Sequence, residues 1–271
     1  MRPGMCAVCA VGIAALAASS PPAGATTIYA PNSIVDGQSI GDWGGAWWTW
    51  VSQMSDTLPN PQTDTTGALA HQNNNGPVFF VAGNFGGTTT RSFSVPAGSL
   101  LLIPVLNFAT IQYPVPLENQ VIANFNNATP INLTATIDGA PVPNLMSHLE
   151  TSGVFSMAHA VSGTYGADFE TQGFPGDPAC PGFTPDLLCP SIATGYYLML
   201  ELSPGQHVIS VGGSMTWDLP VDPTYFPTGG QISIDTAVTS NIDAIPEPAS
   251  ALLILPGLLG IAATRRKQTQ S

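Results

Sequence analysis

The sequence predicts a mainly β fold, an antiparallel β-sandwich or jelly-roll-like domain with one short N-terminal helix. Three observations predict it. Short apolar runs alternating with polar residues recur from residue 77 onward, Gly and Pro turns bound them, and a single amphipathic stretch precedes them. The chain has 271 residues, with 28 Gly and 26 Pro, enough punctuation for many short strands.

Both ends are set apart first. Arg2 is followed by an apolar run from Met5 to Ala18, and Ala23-Gly24-Ala25 closes it with small residues. A charge, a short apolar core and a small-x-small site make a secretory signal peptide over residues 1–25. Cleavage by signal peptidase is expected between Ala25 and Thr26. At the other end, residues 246–271 hold an apolar stretch, Ala249 to Thr264, and then Arg265-Arg266-Lys267. At about 1.5 Å per residue that stretch reaches roughly 24 Å as a transmembrane helix. The basic cluster after it favours the cytoplasmic side.

Residues 26–76 read as an extended segment, a helix and a loop. In DWGGAWWTWVSQMS, Asp42 to Ser55, Trp43, Trp47, Trp50 and Met54 are spaced four, three and four, which stacks them on one helical face. Asp42 is the expected cap, and Gly44 and Gly45 weaken the helix. Leu58 to Gly76 is rich in Pro, Asn, Thr and Gly, a loop composition. Residues 77–245 form the sandwich. Strands are expected over Pro77–Ala82, Arg91–Val95, Leu100–Phe108, Ile131–Ile137, Gly195–Leu202, Gln206–Val211 and Gln231–Thr239. Leu100–Phe108 is apolar enough to be buried on both faces. Ile131–Ile137 alternates and ends at Asp138-Gly139, a turn pair. Pro204-Gly205 predicts a type II turn joining two strands as a hairpin.

Charge excludes one class of partner. Of 17 acidic residues only Glu247 lies outside residues 26–245, and of the five basic residues only Arg91 lies inside. Sixteen acids against one base cannot displace phosphate counterions, so nucleic acid is excluded, and anionic lipid surfaces are disfavoured. Cys180 and Cys189 survive processing, and export makes a disulfide their expected state.

Catalytic patterns are sparse. His71, His148, His159 and His207 show no metal-ligand spacing. His207, in a predicted hairpin strand, suits a surface or cross-strand role. Asp168 and Glu170, with Asp177 and Asp186, could hold Ca²⁺ or be solvated loop acids; Asp218 and Asp222 are a second acidic pair. Of the tryptophans, Trp48 falls off the main helical face and is the candidate platform for a sugar ring. Asn127 and Asn132 begin Asn-x-Thr sequons.

Pro246-Glu247-Pro248, the apolar segment with Leu258-Leu259-Gly260, and Arg265-Arg266 resemble the PEP-CTERM family of sorting signals. The resemblance implies recognition by an exosortase-type protease, cleavage near the motif, and delivery to the cell surface or an exopolysaccharide matrix. The stretches GPVFFVAGNFGGTTTRSFSVPAGSLLLIPVLN and GYYLMLELSPGQHVISVGG resemble a group of secreted bacterial proteins, and this brings no activity with it. The expectation is a non-enzymatic surface or matrix protein associated with polysaccharide. The alternative is a secreted carbohydrate-active enzyme using a carboxylate pair.

Overall fold

A computed structural model describes residues 26–111, 131–157, 163–165, 189–219 and 230–246. The signal segment, the tail beyond Pro246, the Cys180–Cys189 bridge, the Asp168–Asp186 acids, Asp222, Asn127 and His159 lie outside the described residues. Among the described residues no helix is long and apolar enough to cross a membrane.

Mainly β is what the chain builds. In chain order the elements are β1 Thr27–Ile28, β2 Ile34–Val35, β3 Gln38–Ser39, α1 Ile40–Ser52, β4 Val78–Phe80, β5 Gly87–Pro96, β6 Leu100–Ile111, β7 Asn132–Ile137, β8 Ala140–Pro141, a 3₁₀ turn at Leu145–His148, β9 Leu149–Thr151, β10 Phe155–Met157, β11 Cys189–Glu201, β12 Gly205–Leu219 and β13 Gly230–Ile245. One sheet runs β1-β11-β6-β4, with β9 and β10 also pairing along β11; the other runs β5-β13-β12-β7-β8. The two sheets face each other across an aliphatic core that includes Leu101, Ile103, Leu198 and Leu200 from one side and Ile209, Val211, Val238 and Ile242 from the other.

Two expectations need correction. The sheets are mixed, not purely antiparallel: β4 runs parallel to β6 and β5 parallel to β13. The long apolar and polar stretches between these strands carry the chain across the sandwich, which lets same-direction neighbours pair. The Pro204-Gly205 turn does not make a hairpin. β11 pairs with β6 and β12 pairs with β13 and β7, so the turn is an arch from one sheet to the other. Gly205, at φ +128°, takes a backbone conformation that L side chains rarely adopt. Asp138-Gly139 is the turn the sequence predicts, with φ of 53° and 80° and β7 paired to β8.

The helix lies on the outer face of the β11-β6 sheet, making a third layer. It begins two residues before the predicted start. Ser39 caps it, accepting the Asp42 N–H at 3.0 Å, and Asp42 accepts the Ser39 hydroxyl at 2.7 Å. This is a reciprocal capping pair, so Asp42 is the third helical residue and not the cap. Gly41, Gly44 and Gly45 are needed where they stand. A Cβ at Gly41 would run into the Thr151 carbonyl, one at Gly44 into the Tyr197 ring and one at Gly45 into the Phe155 ring. The glycines that weaken the helix in isolation let it approach the sheet.

The loop 55–77 closes one side of the sandwich, where β4 and β5 would present open edges. Asn74 pairs with Phe80 of β4 like a strand residue, donating to its carbonyl at 2.8 Å and accepting its N–H at 2.9 Å. The Ser92 N–H of β5 donates to the Thr66 carbonyl, and His71 Nε2 donates to the Ser94 carbonyl. Arg91 holds the loop from beneath. Its guanidinium donates to the carbonyls of Gln62, Asp64, Ala82 and Gly83 at 2.6–2.9 Å and is 3% exposed.

Candidate functional site

Three turns and the point where the described chain ends meet at one end of the sandwich. Ile245, the last residue of β13, lies opposite Pro96, and its carbonyl accepts the Ala97 N–H at 2.8 Å. Gly98 N–H, in the same turn, donates to the Leu202 carbonyl at 3.1 Å. The arch residue Gly205 lies opposite Ala244. Thr27 pairs with Glu201 beside the arch, so the expected mature N-terminus and the exposed Pro246 occupy the same end.

A cleft of about 500 Å³ opens here, on the side away from the 55–77 loop. Its walls come from β1 and the residue before it (Ile28, Thr26), from the β7–β8 turn and its flanks (Ile137, Asp138, Pro141) and from the arch and the start of β12 (Ser203 to His207). A hydroxyl, an imidazole and a carboxylate line up inside it. His207 Nδ1 is 2.8 Å from Asp138 Oδ2, and His207 Nε2 is 3.4 Å from Ser203 Oγ. Nucleophilic activation needs the ring nitrogen free to take the hydroxyl proton. That nitrogen instead lies 2.8 Å from the Ser203 carbonyl. The ring is held between the Asp138 carboxylate and the Ser203 carbonyl, one facing each nitrogen. The second Asp138 oxygen accepts the Val208 N–H at 2.8 Å, and the Val208 carbonyl accepts the Asp138 N–H. The constellation is a clasp that fixes the arch to the β7–β8 turn.

His207 is buried, 6% exposed, and bonds the residue just after β7, the strand beside β12 in its own sheet, so of the two roles expected from the sequence it has the cross-strand one and not the surface one. The arch changes only the neighbour: β12 lies beside β7 rather than β11. Asp138 was legible only as a turn residue, and its pairing with His207, 69 positions away, leaves no mark on local sequence. The remaining described histidines are also committed. His71 bonds Ser94, and His148 is buried with its ring against the Tyr197 backbone, where burial pushes its basicity down.

The tryptophans of α1 are placed by their N–H groups. Trp43, Trp47 and Trp50 are buried and donate to the carbonyls of Val35, Val81 and Gln72 at 2.8–3.0 Å. Trp48 is half-buried, edge-on to Trp47 at 5.2 Å, with its indole beside the Tyr197 hydroxyl. Among the described residues no group of three or more His, Cys, Asp or Glu is placed to hold a metal ion.

Of the Asp, Glu, Lys and Arg side chains, only acids stand at this end among the described residues. Arg91 is the single Lys or Arg among the described residues, and it is spent on buried carbonyls. Asp138, Glu201 and Asp243 stand around the cleft and the strand ends, with Glu201 accepting the Tyr29 hydroxyl at 3.3 Å.

No family model, no curated protein and no solved structure matches the chain. The functional reading rests on the residues themselves.

Proposed function

We propose that this chain is an exported, non-enzymatic surface or extracellular-matrix protein, sorted through its PEP-CTERM-like tail by an exosortase-type protease. The observation that carries the reading is the succession at the C-terminus. Pro246-Glu247-Pro248, the apolar stretch Ala249 to Thr264 and Arg265-Arg266 follow Ile245, the last residue of the last strand, without a spacer. Proline lacks the N–H that would continue a helix and disfavours helical backbone at the residue before it, which suits a motif that a protease must take up. The chemistry of the folded part supports the same reading, since its buried Arg91, His207, Asn60 and indole N–H groups are committed to holding backbone in place.

Association with polysaccharide is part of the proposal. Residues 26–245 hold sixteen acids, and among the described residues no Lys or Arg is exposed, which suits a hydrated, neutral or cationic polymer better than an anionic one. Trp48 supplies a partly exposed ring for it.

Mass spectrometry of secreted material tests the sorting. The mature chain should begin at Thr26 and lack Arg265 and Arg266. A secreted form that keeps both arginines refutes exosortase processing. For the polymer, purified mature protein is titrated with the producing cell's own exopolysaccharide while Trp fluorescence is followed, and Trp48→Ala should abolish the change.

A further inference from the structure

We propose that the cleft end of the sandwich is a docking surface for the protease that removes the tail, a partner whose active-site rim is basic. The proposal rests on the sorting function above and adds to it a folded recognition element. Its first support is the length of chain available. Ile245 is locked: its carbonyl accepts the Ala97 N–H, and Ile242 and Ala244 just before it are 1% and 0% exposed in the inter-sheet core. Pulling these residues into a protease groove would unzip β13 from both neighbours, β12 and β5. Only Pro246, Glu247 and Pro248 separate Ile245 from the apolar stretch. Four residue steps reach at most roughly 13 Å. A folded protease domain is about 30 Å across, so an enzyme whose active site holds the motif must touch the sandwich end.

The second support is chemistry. The contact zone contains the 96–99 turn, the arch and the cleft beside Thr26. Its side chains include Asp138, Glu201 and Asp243 and no Lys or Arg among the described residues, and the α-ammonium that cleavage before Thr26 would create leaves the balance acidic. The complementary rim is basic, which would steer the encounter and set its register. The membrane is the other surface this end could face, but anionic headgroups repel the same three carboxylates.

The test follows tail loss in the full-length chain, in cells that carry the processing enzyme, by intact mass and by blotting for a C-terminal epitope. One variant reverses the local charge by making two exposed positions paired across β12 and β13 basic, Gln206→Arg with Asp243→Arg. A second inserts about ten Gly/Ser residues between Ile245 and Pro246, far enough to free the motif from the body. The third combines them. Secretion level and protease resistance report folding. Docking predicts that charge reversal slows tail loss about tenfold, the equivalent of about 1.4 kcal/mol, and that the inserted variant shows no difference between native and reversed charge. Equal tail loss in all four chains overturns docking and leaves the sorting function standing. Faster tail loss on charge reversal assigns this face to the membrane and also overturns docking. Tail retention in every chain, the native one included, overturns the sorting function and docking with it.

Discussion

Leu101 and Leu102 are neighbours in β6 and belong to different cores. Leu101 faces the other sheet, in a cluster made mostly of Val, Leu and Ile; Leu102 faces the helix, in a cluster dominated by Trp43, Trp47, Trp50, Tyr197 and Phe80. β11 divides in the same way, Leu198 and Leu200 inward, Tyr197 and Met199 outward. The inter-sheet core is held by non-directional burial, which tolerates hydrophobic exchange when volume is kept. The helix layer is held by aromatic contact plus three indole hydrogen bonds to named carbonyls, and by glycines that leave no room for a methyl group. The difference predicts that the two cores fail differently.

The most damaging change should be Gly41→Ala. Alanine favours a helix by about 1 kcal/mol over glycine, yet its methyl would meet the Thr151 carbonyl and the Ser152 backbone, which cannot give way as a side chain can. We expect a loss of about 3 kcal/mol or more, with tryptophan emission shifting to the red at denaturant concentrations that leave the strand circular dichroism intact. Coincident transitions would show that helix and sandwich unfold as one unit.

Arg91→Leu comes next. It leaves the carbonyls of Gln62, Asp64, Ala82 and Gly83 without their donor, at a cost of about 3 kcal/mol. The released loop 55–77 should become the first site of limited proteolysis, whereas cleavage elsewhere would mean that its remaining hydrogen bonds hold it.

A paired exchange sharpens the comparison between the cores. Leu101→Met keeps volume among aliphatic neighbours and should cost less than about 1.5 kcal/mol. Trp47→Phe removes the N–H that the Val81 carbonyl accepts at 2.9 Å and should cost about 2 kcal/mol. Urea midpoints for the two variants decide it, and equal costs would remove the distinction.

The smallest effect concerns pH. Burial raises the Glu150 carboxyl above its ordinary value of 4.5, with the Asn32 N–H opposing. The folded state then holds a proton that the unfolded state has released, so stability falls as pH rises from 4.5 through the raised value. Asp42 behaves oppositely. The Ser39 hydroxyl and the Gly153 N–H lower it below 3.8, and its contribution, present above 3.8, is lost as pH falls through that lower value. Melting temperature should therefore peak in mild acid. Glu150→Gln should flatten the decline above pH 4.5 and leave the acid side unchanged; an unaltered decline would clear Glu150 of that role.

Several elements were legible because their cause is local. Asn132–Ile137 alternates because one face of its sheet meets the core and the other meets solvent, and the continuous apolar run of β6 reports a sheet covered on both faces. The Trp spacing announced a helix face, and its burial followed. What could not be read depended on which sheet a strand joins. Pro204-Gly205 makes an arch or a hairpin with the same turn chemistry, and only pairing with β7 and β13 decides between them. The cross-strand partner of His207 was hidden for the same reason, since which strand lies beside β12 depends on that choice. Gly41, Gly44 and Gly45 looked like weaknesses because propensity carries no information about how close a sheet will lie.

By itself the sequence determined the β character, the Trp-bearing helix, the Asp138-Gly139 turn and the strongly acidic balance of residues 26–245, all set by neighbours within a few residues or by composition. The tertiary structure decided that the one Lys or Arg of that region is buried, that Asp138 and His207 meet across the neighbouring strands β7 and β12, and that Thr26 and Ile245 share one end of the sandwich. These facts depend on strand order and register, which bring together positions far apart in the chain, and contacts of that range are selected by packing of the whole core rather than by any local preference.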